Sequence, residues 1–325
     1  MLSFDEREQV VKDYLYRESK YVYDCLLYRN KSKCFSFNDK ESIYAKKRYR
    51  EEDMVMKYPH QYNILINNPD ACSDSTYIVI GSPSGPRQFV ERTATRETWG
   101  RIRDVDGKEV IHLFFIGQDP GDDENDRMLK EENDRYHDII QFDMKNHFMN
   151  LTLLAILTYN WTSTYCPNIA YYVRSDNDMW YNPRLHIRTF LMERRSQTLI
   201  GNIVTGSKPI RVPQSRYWLP SSVFPGKVFD PYPSGCFVTI AGDTLRTIVE
   251  TSEKIGPILY FDDVFLGMIA REAELTLLRY PGNTLFFYNQ AFNPSSYSKM
   301  SAAHRYGPVD LLALWQIANR CLCLL

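Results

Sequence analysis

The 325-residue sequence has no long apolar run and no excess of either charge sign. Its longest apolar segments, around Val110–Ile116 and Leu151–Leu157, are about a third of the roughly 20 residues that a membrane-spanning helix needs. The first twenty residues are charged throughout and lack the apolar centre of a secretory signal. Taken alone, these absences predict a cytosolic chain without a transmembrane segment.

Several functional classes are excluded by what the composition lacks. Thirty-nine basic residues face 40 acidic ones, so the net charge of −1 offers no bulk attraction to nucleic acid. Seven cysteines are too few for a disulfide scaffold, and their odd number leaves at least one thiol unpaired within the chain. No P-loop, Gly-x-Gly-x-x-Gly or Gly-x-Ser-x-Gly motif occurs, and the histidines show no zinc spacing. The remaining composition, 44% hydrophobic and 24% charged, is typical of a globular protein.

The chain divides into two regions by pattern. Residues 1–74 are polar and weakly periodic, which predicts a solvated helical extension or stem, with a partner-binding arm as the alternative. Over residues 75–320, β-rich runs alternate with helical patterns, which predicts an α/β fold with a mostly parallel central sheet flanked by helices. Strands are expected at Thr76–Gly81, Val110–Gly117, Asp138–Phe142, Ile169–Arg174 and Leu199–Thr205. Helices are expected at Gln88–Gly100, Asn125–Arg135, His147–Ser163, Pro183–Arg195, Thr244–Lys254 and after Pro308.

An acidic pair directly follows one of these expected strands. Asp176 and Asp178 flank Asn177, just after the apolar run Ile169–Val173. Ligands of open α/β sheets bind beyond the carboxyl ends of strands, and two carboxylates there can hold a hard divalent cation that neutralises a diphosphate. The alternative is a solvated acidic turn.

Two arginines share one face of the first expected helix. Arg92 and Arg96 are four residues apart, and two guanidinium forks on one helix face suit phosphate oxygens. The alternative is a surface helix with a salt bridge to Glu91 or Glu97.

A second acidic pair lies between large apolar residues. Asp262 and Asp263 stand between Phe261 and Val264–Leu266. Burying charge is costly unless it is paired, so an acid in this setting is a candidate general base. The alternative is a helix N-terminus, where acidic residues favour the helix dipole.

Taken in order, these segments resemble the β-1,3-galactosyltransferase-like family, glycosyltransferase family 31. The resemblance covers roughly residues 75–315, and its specificity comes from the ordered set rather than from any one block. The chain departs from the family at Thr95, where the family has Ile. It also departs at Asn177, where the family has the middle one of three consecutive aspartates. The matching blocks are Arg92–Gly100, Glu132–Asp143, Asn150–Leu153, Arg174–Trp180, Tyr232–Gly235, Asp262–Gly267 and His304–Tyr306.

The resemblance implies a GT-A-type nucleotide-sugar-binding fold and an inverting, Mn²⁺-dependent hexosyltransferase. Such an enzyme moves a hexose or N-acetylhexosamine from a UDP-sugar to a hydroxyl of a glycan acceptor, on a glycoprotein or glycolipid, in β-1,3 linkage. Members are usually Golgi type II membrane proteins, so the resemblance implies the Golgi lumen although the expected N-terminal anchor is absent. An incomplete start, different splicing or a truly soluble chain are the open explanations.

The resemblance also implies residue roles. Asp176 and Asp178 would hold Mn²⁺, with His304 as a third ligand, and Asn177 would lie close to the donor ribose or sugar. Arg92 and Arg96 would lie at the nucleotide side. Asp263 would deprotonate the acceptor hydroxyl, with Asp262 as the runner-up because the family has Glu there. In an oxidising lumen, Cys166 would pair with Cys236.

Two other functions compete with this interpretation. Substitutions at Thr95, Asn177, Met179 and Trp180 are compatible with a catalytically silent family member that binds a glycan or UDP. A metal-dependent phosphohydrolase would need a second carboxylate cluster for a bridged metal pair, and the sequence around Asp176 offers none.

Overall fold

The structure is a computed structural model that describes residues 3–29, 55–56, 62–280, 285–286 and 300–321. The helices are α1 (Phe4–Arg29), α2 (Phe89–Glu97), α3 (Asp123–Tyr136), α4 (Leu151–Tyr165), α5 (Pro183–Phe190), α6 (Thr244–Ser252), α7 (Asp262–Glu272) and α8 (Pro308–Cys321). The longer strands are β2 (Ile64–Ile66), β3 (Thr76–Ser84), β5 (Lys108–Gln118), β6 (Ile139–Lys145), β7 (Tyr171–Ser175), β9 (Thr198–Val204), β10 (Tyr232–Ala241) and β12 (Thr276–Arg279). The shorter ones are β1 (Val55–Met56), β4 (Asp104–Val105), β8 (Met179–Tyr181), β11 (Ile258–Leu259), β13 (Leu285–Phe286) and β14 (Ala302–His304).

The central sheet has nine strands, ordered β12-β9-β10-β7-β3-β5-β6-β2, with β4 paired to β5. Its middle strands, β7, β3, β5 and β6, run parallel to one another, whereas β10 and β2 run antiparallel to their neighbours. A small second sheet joins β13, β14 and β8. The prediction of an α/β fold with a mostly parallel sheet centre is therefore confirmed.

Helices cover both faces of this sheet because the central strands are apolar on both sides. Ile78 and Val173 pack with α1, α2 and α8 on one face, whereas Val79 and Tyr172 pack with α4, α6 and α7 on the other. This follows from the alternation of side chains along a strand. Because the middle strands run parallel, their carboxyl ends meet at one edge of the sheet.

The predicted element boundaries agree with the structure to within a few residues, except in α5. That helix ends at Phe190, five residues before the predicted Arg195. The helix ends where backbone carbonyl groups of the following segment accept hydrogen bonds from the core. The Tyr171 hydroxyl donates to the carbonyl of Glu193, at 2.5 Å. Arg194 also donates to the carbonyl of Asn168, at 3.0 Å.

The N-terminal helix is not fully solvated, contrary to the expectation for residues 1–74. Leu15 and Val22, seven residues apart on one face of α1, are buried in the same core as α2 and α8. Because this segment is polar, Tyr-rich and only weakly periodic, its narrow apolar face could not be recognised from the sequence. The division of the chain into residues 1–74 and 75–320 stays a prediction. Among the described residues, none of the helices combines the length and apolarity needed to cross a membrane.

The disulfide expectation was wrong in its partner. Cys166 pairs with Cys72, which lies between β2 and β3, and their Cα atoms are 5.5 Å apart. Cys236 lies in β10 with a free, buried thiol. Cys166 directly follows α4, and the loop before β3 brings Cys72 to it.

Candidate functional site

A cleft of about 700 Å³ opens at the carboxyl ends of the parallel strands. It lies between the loop after β3, the segment after β6 and the turn that joins β7 to β8. Its lining includes Pro83, Ser84, Gly85, Arg87, Gln88, Asp119, Asn146, His147, Phe148, Leu151, Leu154, Arg174, Asp176, Asn177, Asp178 and Arg216. The position is the one that open α/β sheets use for ligands.

Two carboxylates and an imidazole converge on this cleft. The Nε2 atom of His304 lies 3.0 Å from Oδ1 of Asp178 and 3.7 Å from Oδ2 of Asp176. The small sheet makes this possible, because β14 pairs with β8 in a register that sets His304 opposite Met179. The structure thus brings together the three residues predicted as metal ligands, although His304 lies 128 residues after Asp176 along the chain.

The cluster contains two carboxylates and one imidazole, and the pKa values of Asp176 and His304 are both shifted. Burial, helped by the charge of Asp178, raises the pKa of Asp176 to about 6, although Arg174 acts against the rise. Burial lowers the pKa of His304, but the hydrogen bond to Asp178 and the charges of both carboxylates outweigh it, so the pKa of His304 is raised. A cation held between these groups would relieve the repulsion between the two carboxylates.

These residues fit a hard divalent cation. One ligand atom from each of Asp176, Asp178 and His304 lies within 4.8 Å of the other two. Within the described ranges, no other group of three acidic, histidine or cysteine side chains meets in this way. Carboxylate oxygens with one imidazole suit Mn²⁺ or a similar ion. Metal binding itself stays a prediction.

Arg174 connects this cluster to the second acidic pair. Its Nη2 atom lies 2.9 Å from Oδ2 of Asp262 and 3.4 Å from Oδ1 of Asp176. Strand β7 carries Arg174 and helix α7 begins at Asp262, so the ion pairs fix the start of that helix beside the end of the strand. The sequence analysis missed Arg174, although a basic residue at the end of an apolar strand is a usable signal.

Asp263 makes different contacts from its neighbour. Its carboxylate accepts hydrogen bonds from the backbone N–H groups of Val264, at 2.8 Å, and Gly235, at 3.3 Å. Burial first, and then the charge of Asp262, raise the pKa of Asp263 to about 6. Asp263 is not part of the lining of the main cleft, whereas Asp262 lines a small inner pocket that shares Pro83 and Arg174 with it.

Gly235 is needed where β10 passes these residues. A Cβ atom at position 235 would lie 2.7 Å from Nη1 of Arg174 and 3.2 Å from Cβ of Asp263. The Arg174 guanidinium cannot swing away without breaking its ion pairs. Glycine therefore permits Arg174 and Asp263 to pack against the same backbone.

Gln88 orders the opposite wall of the cleft. Its Oε1 atom accepts from the backbone N–H of Gly85, at 2.6 Å, and from Nδ2 of Asn177, at 3.1 Å. The middle residue of the Asp176–Asp178 turn is therefore held by the loop after β3. Sequence reasoning missed Gln88, and no motif marked it.

Arg92 and Arg96 do not line the cleft, so their contacts do not favour the predicted role at the nucleotide. Arg92 is 1% exposed and forms a bidentate pair with Glu132 at 2.8 and 2.7 Å. Arg96 pairs with both Glu132 and Asp138 at 2.7–2.8 Å. Arg92 also donates to the carbonyl of Gly85, at 2.6 Å. These guanidinium groups hold α2, α3 and the loop after β3 together.

The sequence is similar to glycosyltransferases of known name. The chain is 27% identical over 266 residues to β-1,3-galactosyltransferase 2 of Pongo abelii, covering 79% of this chain and 63% of that protein's length. It is 29% identical over 271 residues to lactosylceramide 1,3-N-acetyl-β-D-glucosaminyltransferase of Xenopus tropicalis, with coverages of 79% and 70%. Against β-1,3-galactosyltransferase 5 of Pan troglodytes the identity is 28% over 297 residues, with coverages of 91% and 97%.

The family assignment rests on more than half of the chain. The fold overlaps with that of a glycosyltransferase involved in the glycosylation of the major capsid of PBCV-1, with a TM-score of 0.43. The identity is 10%, and the overlap covers 74% of this chain and 99% of that one. The model of the galactosyltransferase family, by contrast, matches residues 90–280, a range that contains Asp176, Asp178, Asp262 and Asp263. The chain therefore belongs to the galactosyltransferase family.

Proposed function

We propose that this chain is an inverting GT-A-type glycosyltransferase that moves galactose or N-acetylglucosamine from a UDP-sugar to a glycan hydroxyl in β-1,3 linkage. The observation that carries the proposal is the convergence of Asp176, Asp178 and His304 at the strand ends, with Arg174 connecting them to Asp262 beside Asp263. The family and the names of the three relatives support the same reaction class.

The cluster supplies the donor half of the site. Asp176, Asp178 and His304 would hold a divalent cation, Mn²⁺ by family resemblance, which when bound supplies positive charge to the diphosphate of the UDP-sugar. Asn177 is fixed by Gln88 on the cleft wall, which supports its predicted place near the donor ribose or sugar.

The second acidic pair supplies the acceptor half. A sugar hydroxyl is a poor nucleophile near neutral pH, so a positioned base must take its proton as the new bond forms. Asp263 is the proposed base, because its raised pKa of about 6 lies near neutral pH and, among the described residues, its carboxylate accepts hydrogen bonds only from backbone N–H groups. The acceptor oxygen bonds to the anomeric carbon as the bond to UDP breaks, and the proton goes to Asp263. One displacement gives inversion.

The disulfide supports a secretory-pathway location. A structural disulfide such as Cys72–Cys166 is typical of proteins in oxidising compartments and rare in the cytosol. The Golgi lumen, which the family resemblance implies, is such a compartment, and glycoprotein and glycolipid acceptors are found there.

A catalytically silent member of the family is the second candidate. Asn177 stands where the family has a third aspartate and is committed to Gln88, which would leave nucleotide binding possible without transfer. Such a protein would bind UDP and a cation but turn over no acceptor.

One experiment separates these functions. The purified chain is incubated with Mn²⁺ and a panel of UDP-sugars, with aryl glycosides of galactose, N-acetylglucosamine and N-acetylgalactosamine as acceptors. We expect transfer from UDP-galactose or UDP-N-acetylglucosamine, with a β-1,3 linkage in the product by NMR. UDP binding without any transfer or hydrolysis would favour the silent member. Absence of UDP binding would contradict both.

A further inference from the structure

Three arginines line the main cleft, and two of them are already engaged by carboxylates. Arg174 pairs with Asp262 and Asp176. Arg87 is 70% exposed and pairs with Asp122, with a longer contact to Asp119. Arg216, the third, lies in the segment between β9 and β10.

The guanidinium of Arg216 has no carboxylate partner in the part of the chain that the structure describes. Its Nε atom is buried and has no hydrogen-bond acceptor there. A buried donor without an acceptor is energetically unfavourable, and a ligand oxygen that reached it would remove that cost.

Aromatic rings hold Arg216 in place without using its N–H groups. Its guanidinium carbon lies 5.1 Å from the ring centre of Phe148 and 4.6 Å from that of Tyr217, which is cation–π geometry. The backbone is fixed as well, because the Tyr260 hydroxyl donates to the carbonyl of Trp218 at 2.7 Å and to that of Arg216 at 3.4 Å. The guanidinium is thus positioned, and none of the described residues accepts a hydrogen bond from its Nε atom.

We propose that Arg216 binds the diphosphate of the nucleotide-sugar and stabilises the charge that develops on the departing UDP. This inference rests on the proposed function. A guanidinium fork matches two phosphate oxygens, and it lies in the same cleft as Asp176 and Asp178. A fixed positive group aimed at the leaving oxygen stabilises the transition state more than the ground state. Arg216 thereby takes the role that the sequence analysis gave to Arg92 and Arg96.

An anionic group on the acceptor glycan, such as a carboxylate or sulfate, has similar chemistry and is the other possible source of the ligand. The diphosphate is favoured because the cleft that Arg216 lines is the one that holds the candidate metal ligands, whereas Asp263 lies outside that lining. The two sources differ in which substrate loses affinity when Arg216 is changed.

The test compares Arg216→Gln and Arg216→Lys with Arg87→Gln, a matched control whose arginine lines the same cleft but already pairs with Asp122. Binding of UDP and of uridine is measured by calorimetry, with Mn²⁺ and again with EDTA. Thermal unfolding of each variant checks that the fold is retained.

We expect Arg216→Gln to weaken UDP binding at least about tenfold and uridine binding less than about twofold. Arg216→Lys should fall between, because it keeps the charge and loses the fork. Arg87→Gln should change UDP binding less than about threefold.

Unchanged UDP affinity in folded Arg216→Gln would overturn the proposal. If that variant instead binds UDP normally and shows a raised KM only for acceptors that carry a carboxylate or sulfate, the proposal is likewise wrong and the ligand is the acceptor. These outcomes leave the proposed function intact. By contrast, a wild-type chain that binds no UDP would overturn the proposed function and this inference with it.

Discussion

The Nη2 atom of Arg174 lies 2.9 Å from Oδ2 of Asp262, so the strand that ends in the acidic cluster is joined directly to the helix that carries Asp263. Both side chains are nearly buried, at 10% and 13% exposure. The pair engages Asp262 in an ion pair, whereas the adjacent carboxylate of Asp263 has, within the described part of the chain, only backbone N–H groups as hydrogen-bond donors. This ion pair therefore links the two halves of the proposed reaction site.

Removal of one carboxylate from the cluster tests the metal site. Asp178→Ala should abolish Mn²⁺-dependent UDP binding while leaving the fold intact, because Asp178 is 43% exposed and its loss creates no cavity. EDTA should have the same effect on the wild type, and Mn²⁺ should reverse it. Asp119→Ala, in the same cleft but outside the cluster, serves as the control. Full UDP affinity of Asp178→Ala in EDTA would show that the cluster holds no functional metal.

Substitution of Asp263 tests the base. Asp263→Asn keeps the volume and removes the basicity, so kcat should fall at least about a hundredfold with UDP-sugar and Mn²⁺ binding nearly unchanged. Asp262→Asn is the comparison, and it should act more on binding and stability because it breaks the pair with Arg174. Near-normal turnover of Asp263→Asn together with loss in Asp262→Asn would assign the base to Asp262 instead.

The pH dependence of turnover follows from the pKa of Asp263, which is about 6. A base must be deprotonated to act, so kcat/KM should fall as pH decreases through about 6, by roughly tenfold per pH unit below it. Burial and the negative charge of Asp262 are the causes that raise this pKa. The rate is measured from pH 4.5 to 8 at saturating Mn²⁺. A wild-type profile that stays flat across this range would contradict the assignment.

The buried arginines should matter for stability rather than for the nucleotide. Glu132→Gln removes the charge shared by Arg92 and Arg96, so the free energy of unfolding should fall by about 3–5 kcal/mol. Its neighbour Glu131 makes partly exposed pairs with Arg7 and Arg127, so Glu131→Gln should cost less than about 1 kcal/mol. Urea denaturation measures both. Equal stability of the two variants would contradict the structural role.

The disulfide is tested by peptide mapping without reduction. We expect a peptide that links Cys72 to Cys166 and a free thiol at Cys236. Cys166→Ser should lower the free energy of unfolding by about 2–5 kcal/mol, because the crosslink closes a loop of 94 residues. Cys236→Ser is the control and should leave the linked peptide in place. A peptide that links Cys166 to Cys236 would restore the original expectation.

Local patterns predicted many of the strands and helices but missed the strands β10 and β12, and they did not predict the contacts between distant segments. Asp176 and Asp178 could be found because they follow an apolar strand, and His304 only because of the family resemblance. The roles of Arg92 and Arg96 could not be derived from helical spacing, since their partners Glu132 and Asp138 lie on other elements. Cys72 was missed for the same reason. Gln88 and Arg216 sit in irregular segments, where no periodicity marks a residue that faces the cleft.

Gly235 has a consequence for comparing related chains. A side chain at position 235 would clash with Arg174 and lie in close contact with Asp263, so a substitution there would affect both halves of the site. A relative that keeps every acidic residue but carries alanine or a larger residue at the equivalent position should have its arginine displaced and its base moved. Position 235 therefore offers a way to sort active transferases from inactive ones that inspection of the aspartates alone would not give.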